Sequence, residues 1–160
     1  MWFKRGVATL AALLLTANSA FAASSCFQKD ALEAWQAVRY MTQLMVLSDT
    51  CQMHVYDGFI KTNFAALDAY HKALVAHFRE AGDRHPEDTV DRYVTHAANE
   101  VSEQDGQMPT AELCTQKAAY FNTAQSLAGE KFRQFVADLV NKQKSDFRPC
   151  ADQHTAATTH

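Results

Sequence analysis

The fold is decided by residues 26–51, which read CFQKDALEAWQAVRYMTQLMVLSDTC. Within this stretch, large apolar side chains recur at every third or fourth position: Leu32, Trp35, Val38, Met41 and Met45. Residues at that spacing share one face of an α-helix, so we predict an amphipathic helix over residues 26–48. Ser25 and Gln28 have the S-x-x-Q spacing of a capping box, which predicts that the helix begins there.

Two further helices follow in the next sixty residues. The second has an apolar stripe made of Tyr56, Ile60, Phe64, Leu67, Tyr70, Leu74 and Phe78. Gly82 predicts its end, because glycine readily adopts the left-handed backbone of a helix C-terminus. Pro86 predicts the start of the third helix, since a first-turn proline loses no intrahelical hydrogen bond. The stripe of this third helix is thinner and consists of Val90, Val94, Ala97 and Val101.

A fourth helix is predicted from Thr110, its N-cap, up to the region before Pro149, which forbids continuation. Its stripe consists of Leu113, Lys117, Phe121, Ala124, Ala128, Phe132, Phe135 and Leu139, all apolar except Lys117. Gly129 lies within the stripe and is a candidate for a kink. No segment shows the sustained alternation of a β-strand. The predicted fold is therefore all-α, an antiparallel four-helix bundle stapled by two disulfides.

The staples follow from the positions of the four cysteines. Cys26 and Cys51 bracket helix 1 and lie roughly 35 Å apart at about 1.5 Å per residue, too far for a disulfide. Cys114 opens helix 4 and Cys150 follows its end. If helices 1 and 4 are antiparallel neighbours, Cys51 pairs with Cys114 and Cys26 with Cys150 at the opposite end.

The ends of the chain have a different composition from its middle. Residues 1–22 combine basic Lys4 and Arg5, an apolar run and an A-x-A site at residues 20–22, the pattern of a cleaved signal peptide. This predicts a periplasmic or secreted protein with a helical domain over residues 23–150 and a disordered tail over 151–160. Removal of the signal leaves 13 basic and 18 acidic residues. A net acidic chain without a second long apolar run is typical of neither a nucleic-acid binder nor a membrane-spanning protein.

A resemblance supports this interpretation. Leu44-Met45-Val46 leading to Cys51, His77-Phe78, and the run Asp91-Arg92-Tyr93-Val94-Thr95 continuing to Cys114 are the residues that carry it. Over residues 26–125 the chain resembles an uncharacterised family of small exported all-helical proteins from Gram-negative bacteria. The resemblance implies a helical fold and export, and it implies no activity.

Motifs of the common enzyme and cofactor classes are missing from the sequence. There is no C-x-x-C-H for covalent haem, no G-x-S-x-G nucleophile and no close dithiol. The two Asp/Glu and His pairs that approach a di-iron motif, Asp68 with His71 and His77 with Glu80, fall on one helix, whereas such a site needs ligands from four. We therefore predict a non-enzymatic protein without a cofactor.

Copper is the metal that the side chains fit best. Met41, Met45, Met53 and His54 supply thioethers and an imidazole, ligand types that suit copper. Met41 and Met45 also lie on the apolar stripe, so packing in the core is the competing interpretation. The tail residues His154 and His160 are a further, looser source of ligands.

The third helix carries a polar strip made of Asp91, Thr95, Asn99 and Ser102. This strip is a possible binding surface, and a solvated helix face is the alternative. The predicted function is an exported non-enzymatic helical binding or interaction protein, whose partner is an unknown protein or envelope component. The alternative is a periplasmic carrier of a small ligand or a metal such as copper.

Overall fold

The computed structural model describes residues 26–142 and Cys150. These residues form six helices: α1 (Lys29–Thr50), α2 (Val55–Glu80), α3 (Pro86–Asp105), α4 (Thr110–Gln116), α5 (Ala118–Ser126) and α6 (Glu130–Lys142). The all-helical prediction is confirmed for this part of the chain. The predicted signal peptide, residues 1–22, and the predicted tail, 151–160, lie outside the described residues.

The central element is α1, which contacts α2, α3 and α6. It is buried on most of its circumference: its buried residues include Leu32, Trp35, Val38, Leu44 and Leu47. The capping-box prediction is wrong, because α1 begins at Lys29 with Gln28 at its N-cap and no side-chain cap. Phe27 lies before the helix, where its carbonyl accepts a 2.9 Å hydrogen bond from the N–H of Cys150.

Both disulfide predictions are confirmed. Cys26 pairs with Cys150 at a Cα–Cα distance of 4.7 Å, and Cys51 pairs with Cys114 at 5.7 Å. The first bridge joins the chain before α1 to the chain after α6, and the second joins the end of α1 to α4. The segment from Cys114 to Cys150 is thus tied to the two ends of α1.

The buried face of α2 differs from the predicted stripe. Phe64 was expected in the core, but 67% of it is exposed. The buried line instead runs through Val55, Phe59 and Asn63 before it rejoins the predicted residues at Leu67. The physical reason is Asn63, a polar residue that the core accepts because its amide donates to the carbonyls of Phe59 and Leu127 and accepts from the N–H of Gly129.

The predicted single fourth helix is wrong, because it is broken twice. The first break is at Lys117, which ends α4 and precedes α5. The second lies between α5 and α6, where Gly129 has a left-handed backbone (φ 55°). Asn63 holds this break: its Nδ2 donates to the carbonyl of Leu127 at 2.9 Å, and its Oδ1 accepts from the N–H of Gly129 at 3.0 Å. The glycine is therefore a chain break with its own hydrogen bonds, and more than a kink.

The turn between α2 and α3 follows the sequence prediction. Gly82 has φ 90°, its N–H donates to the carbonyl of Arg79, and the N–H of Asp83 donates to Phe78. These two bonds make the Schellman motif that ends helices at glycine. Pro86 is the first residue of α3, as predicted. None of the described helices is long and apolar enough to cross a membrane.

Candidate binding groove at the α1–α2 corner

The polar strip of α3 lies on the surface. Asp91, Thr95, Asn99 and Ser102 are all exposed. The hydroxyls of Thr95 and Ser102 donate to the carbonyls of Asp91 and Ala98 on their own helix, each at 2.9 Å. The strip is therefore a solvent-facing row, and its hydroxyls are not needed to hold α3 against a neighbouring helix.

One residue of the strip, Ser102, also borders a groove at the corner where α1 turns into α2. We call this the corner groove; its volume is about 820 Å³, within the range of small-ligand sites. Its wall includes Met45 and Ser48 from α1, Met53 and His54 from the turn, and Asp57 from α2. The groove thus contains one residue of the predicted strip and three of the four residues whose side chains suit copper.

The backbone of the corner is fixed by its own hydrogen bonds. The N–H of Met53 donates to the carbonyl of Ser48 at 2.8 Å, and that of Gln52 donates to Asp49 at 3.1 Å. This is a second Schellman motif, in which Gln52 occupies the left-handed position with φ 53°. The adjacent Cys51 is bonded to Cys114. Met53 and His54 are therefore presented by a turn that is held from both sides.

The predicted soft ligands separate into two groups. Met41 packs against the hydrophobic core, as the competing interpretation held. Met45 lines the groove instead, and Met53 is 41% exposed in the same wall. His54 has a fully accessible imidazole, and the Asp57 carboxylate approaches its Nδ1 at 3.7 Å. His154 and His160 lie outside the described residues.

Ser48 and Asp57 are among the groove residues that the sequence does not single out as candidates. Ser48 is 4% exposed, and its hydroxyl has no hydrogen-bond partner among the described residues. Asp57 follows His54 by three residues on one helix face, a spacing that could have identified the pair.

The ionisable groups give the neighbourhood an acidic character. Burial and the nearby Asp57 carboxylate raise the pKa of Tyr56, which lines the groove as a neutral phenol. The adjoining α3 has one basic residue, Arg92, against six acidic ones: Glu87, Asp88, Asp91, Glu100, Glu103 and Asp105. Of these acids, Asp105 is neutralised by Lys117 at 3.1 Å.

Among the described residues there is no group of three or more His, Cys, Asp or Glu side chains placed to hold a metal ion. A metal in this part of the molecule would therefore have to use other donors, such as thioethers. Within the described residues, the corner groove is lined by the thioether side chains of Met45 and Met53 and by the imidazole of His54.

Comparison with known proteins finds no match: no family model, no curated protein and no solved structure matches this chain. The described part of the chain is an all-helical, disulfide-bonded domain.

Proposed function

We propose that this chain is an exported, non-enzymatic binding protein of the periplasm or the extracellular space. Its disulfides support export, because such bridges persist in oxidising compartments. The resemblance to small exported helical proteins of Gram-negative bacteria points the same way. We also propose that the helices run up and down as an antiparallel bundle, with α4 to α6 forming its fourth arm. The two bridges at opposite ends of α1 support this arrangement.

The binding surface is the exposed face of α3 together with the corner groove. The observation that carries this assignment is charge: five acidic residues of α3 remain once Lys117 has neutralised Asp105, and they face a single arginine. Asp49 and Asp57 continue the acidic surface into the groove. Such a surface attracts positive charge and repels negative charge. The partner is therefore a protein that presents a basic segment.

Affinity capture from the native envelope tests this function. The double variant Asp91→Asn with Glu103→Gln removes two exposed charges of α3, and it should reduce capture of the basic partner several-fold without changing the melting temperature. A matched control, Glu130→Gln with Asp138→Asn, removes two charges from α6 and should capture normally. Equal capture by both variants would contradict the proposed surface.

The strip itself is tested separately. Thr95→Ala with Asn99→Ala should weaken capture while the fold persists, because the described bond of the Thr95 hydroxyl is to its own helix. Capture that is unchanged by this variant would assign the strip to the solvated face.

A second candidate function is a carrier of a small ligand or a metal such as copper. The observation that favours it is the corner groove, whose lining includes the soft donors Met45, Met53 and His54. Elemental analysis and mass spectrometry of protein purified from its native source would test it. Stoichiometric copper or a retained small molecule supports the carrier, and a protein free of both counts against it.

A further inference from the structure

The corner groove contains a specific set of donor atoms that points to one ion. Met45 contributes a thioether from α1, Met53 a thioether from the turn, and His54 an imidazole from the start of α2. Thioethers are soft ligands that bind Cu(I) and discriminate against hard ions such as Mg²⁺ and Ca²⁺. Imidazole is a ligand common to copper and zinc. The combination favours copper in its reduced state.

Comparison of the methionines shows that the groove positions are distinct from core filling. Met41 and Met108 are partly buried and pack against the core cluster. Met45 lies one turn after Met41 on the same helix but belongs to the wall of the groove. Met53 is exposed at the surface of the turn. Of the four methionines among the described residues, two thus pack against the core, and the other two line a solvent-accessible groove.

The histidine has a neighbour that can orient it. The Asp57 carboxylate lies 3.7 Å from Nδ1 of His54. This distance is longer than a hydrogen bond, so the carboxylate acts through its charge, which favours a proton on Nδ1 and leaves the lone pair of Nε2 for a metal. Asp57 also supplies the negative charge that a bound cation requires. It acts as a positioning residue and not as a ligand.

The surrounding structure limits the alternatives. Cys51, directly beside the groove, is consumed by its bond to Cys114, so no thiolate is provided there. The same bond, together with the Schellman turn at Gln52, fixes the backbone that bears Met53 and His54. A site with a fixed backbone loses less entropy when its side chains close around an ion.

We propose that the corner groove binds one Cu(I) ion through the thioethers of Met45 and Met53 and the imidazole of His54. The proposal rests on the carrier function and names its cargo. It involves no redox step: the ion enters and leaves as Cu(I), and the disulfides stay oxidised. The groove is shared with the proposed partner surface, so the titration uses the protein without a partner.

Anaerobic titration of the oxidised full chain with Cu(I), against a chromophoric Cu(I) chelator and with ascorbate as reductant, tests the proposal. We expect one ion per chain, with the affinity reduced at least tenfold by Met45→Leu, Met53→Leu or His54→Ala, and about tenfold by Asp57→Asn. Met41→Leu and Met108→Leu are matched controls and should bind normally. A thiol assay before and after the titration confirms that no cysteine has been released.

The methyl resonances of the methionines identify the ligands directly. On addition of Cu(I), the ε-methyl signals of Met45 and Met53 should shift while those of Met41 and Met108 stay in place. The proposal is overturned if no Cu(I) binds, if the core methionines shift instead, or if binding survives the loss of Met45 and Met53 but disappears in His154→Ala with His160→Ala. If Cu(I) fails to bind while a small molecule co-purifies in the groove, the carrier function stands and its cargo is different.

Discussion

Asn63 shows how a single polar residue can determine the course of a distant segment. It is 2% exposed, and it joins α2 to the break between α5 and α6, 64 and 66 residues further along the chain. Asn63→Leu would leave the carbonyl of Leu127 and the N–H of Gly129 without this partner. We expect the free energy of unfolding to fall by about 2–3 kcal/mol, because an unsatisfied buried group costs about 1–3 kcal/mol. Urea denaturation measures this loss.

Phe64 provides the matched control on the neighbouring position. It is large and apolar, yet exposed, so Phe64→Ala should change the free energy of unfolding by no more than about 0.5 kcal/mol. If Phe64→Ala proved the more damaging substitution, the register of α2 described above would be incorrect.

Asn63 and Phe64 explain why hydrophobic periodicity predicts the wrong buried residues in this part of α2. Hydrophobic periodicity ranks Phe64 above Asn63, and for most of α2 that ranking is correct. It fails here because buried Asn63 is stabilised by hydrogen bonds to backbone groups that are remote in sequence. The same holds for Lys117, whose partner Asp105 lies on another helix at 3.1 Å. Local patterns do not reveal such partners.

The start of α3 is held by hydrogen bonds to the side chain of Asp83. Its carboxylate accepts hydrogen bonds from the hydroxyl of Thr89 and the N–H of His85, and these bonds lower the pKa of Asp83. A carboxyl whose pKa is lowered on folding stabilises the fold above its unfolded pKa of about 3.9. This stabilisation is lost as the pH falls through the folded pKa.

Asp83→Asn should therefore lower the melting temperature at neutral pH and flatten its decline at pH values below about 4. Thermal unfolding across this range, monitored by circular dichroism, makes the comparison. An acid limb as steep as that of the unsubstituted protein would show that the bonds of Asp83 to His85 and Thr89 do not stabilise the fold in solution.

The packing of α2 against the N-terminal segment has a pH dependence in a different range. The ring of His77 lies 4.2 Å from that of Phe27 and 5.5 Å from that of Phe78. Burial lowers the pKa of His77, while the carboxylates of Asp30 and Glu80 oppose the shift. The folded state therefore favours the neutral ring. Burial of the neutral His77 ring contributes fully to stability above the unfolded pKa of about 6.5. This contribution is lost as the pH falls through the lower pKa of the folded state.

His77→Phe keeps an aromatic ring and removes the titration. We expect the stability of this variant to change less between pH 7 and pH 5 than that of the unsubstituted protein. Asp83→Asn is the control, because its effect lies at lower pH. A variant with an undiminished slope in this range would exclude His77 as the source.

For the whole molecule, the two disulfides are the long-range constraints. They join residues 124 and 63 positions apart, and loss of a native bridge removes about 2–4 kcal/mol of stability. We expect both Cys26→Ser with Cys150→Ser and Cys51→Ser with Cys114→Ser to unfold at lower denaturant concentration. Only the second pair should also weaken binding in the corner groove. If removal of Cys26–Cys150 weakened binding in the groove and removal of Cys51–Cys114 did not, the Cys51–Cys114 bridge would not be the one that holds the groove.

The large features of the molecule were accessible from sequence, because they depend on helix length and periodicity. A helix of the predicted length cannot bond the cysteines at its two ends, and an antiparallel arrangement of the first and last predicted helices then predicts both pairs. The corner groove was not accessible in the same way. Met45, Met53 and His54 were identified as candidates by chemistry, but only the Schellman turn at Gln52 places them in one wall, and its left-handed residue is not a glycine.

We propose that the acidic face of α3 and the corner groove form a surface for a basic partner. The most direct test is the amount of partner captured from the native envelope as salt is raised from about one tenth to about half molar, where surface charges are screened within a few ångströms. We expect the amount of captured partner to fall steeply with salt for the unsubstituted protein and less steeply for Asp91→Asn with Glu103→Gln. Capture that is independent of salt and identical in both proteins would contradict it.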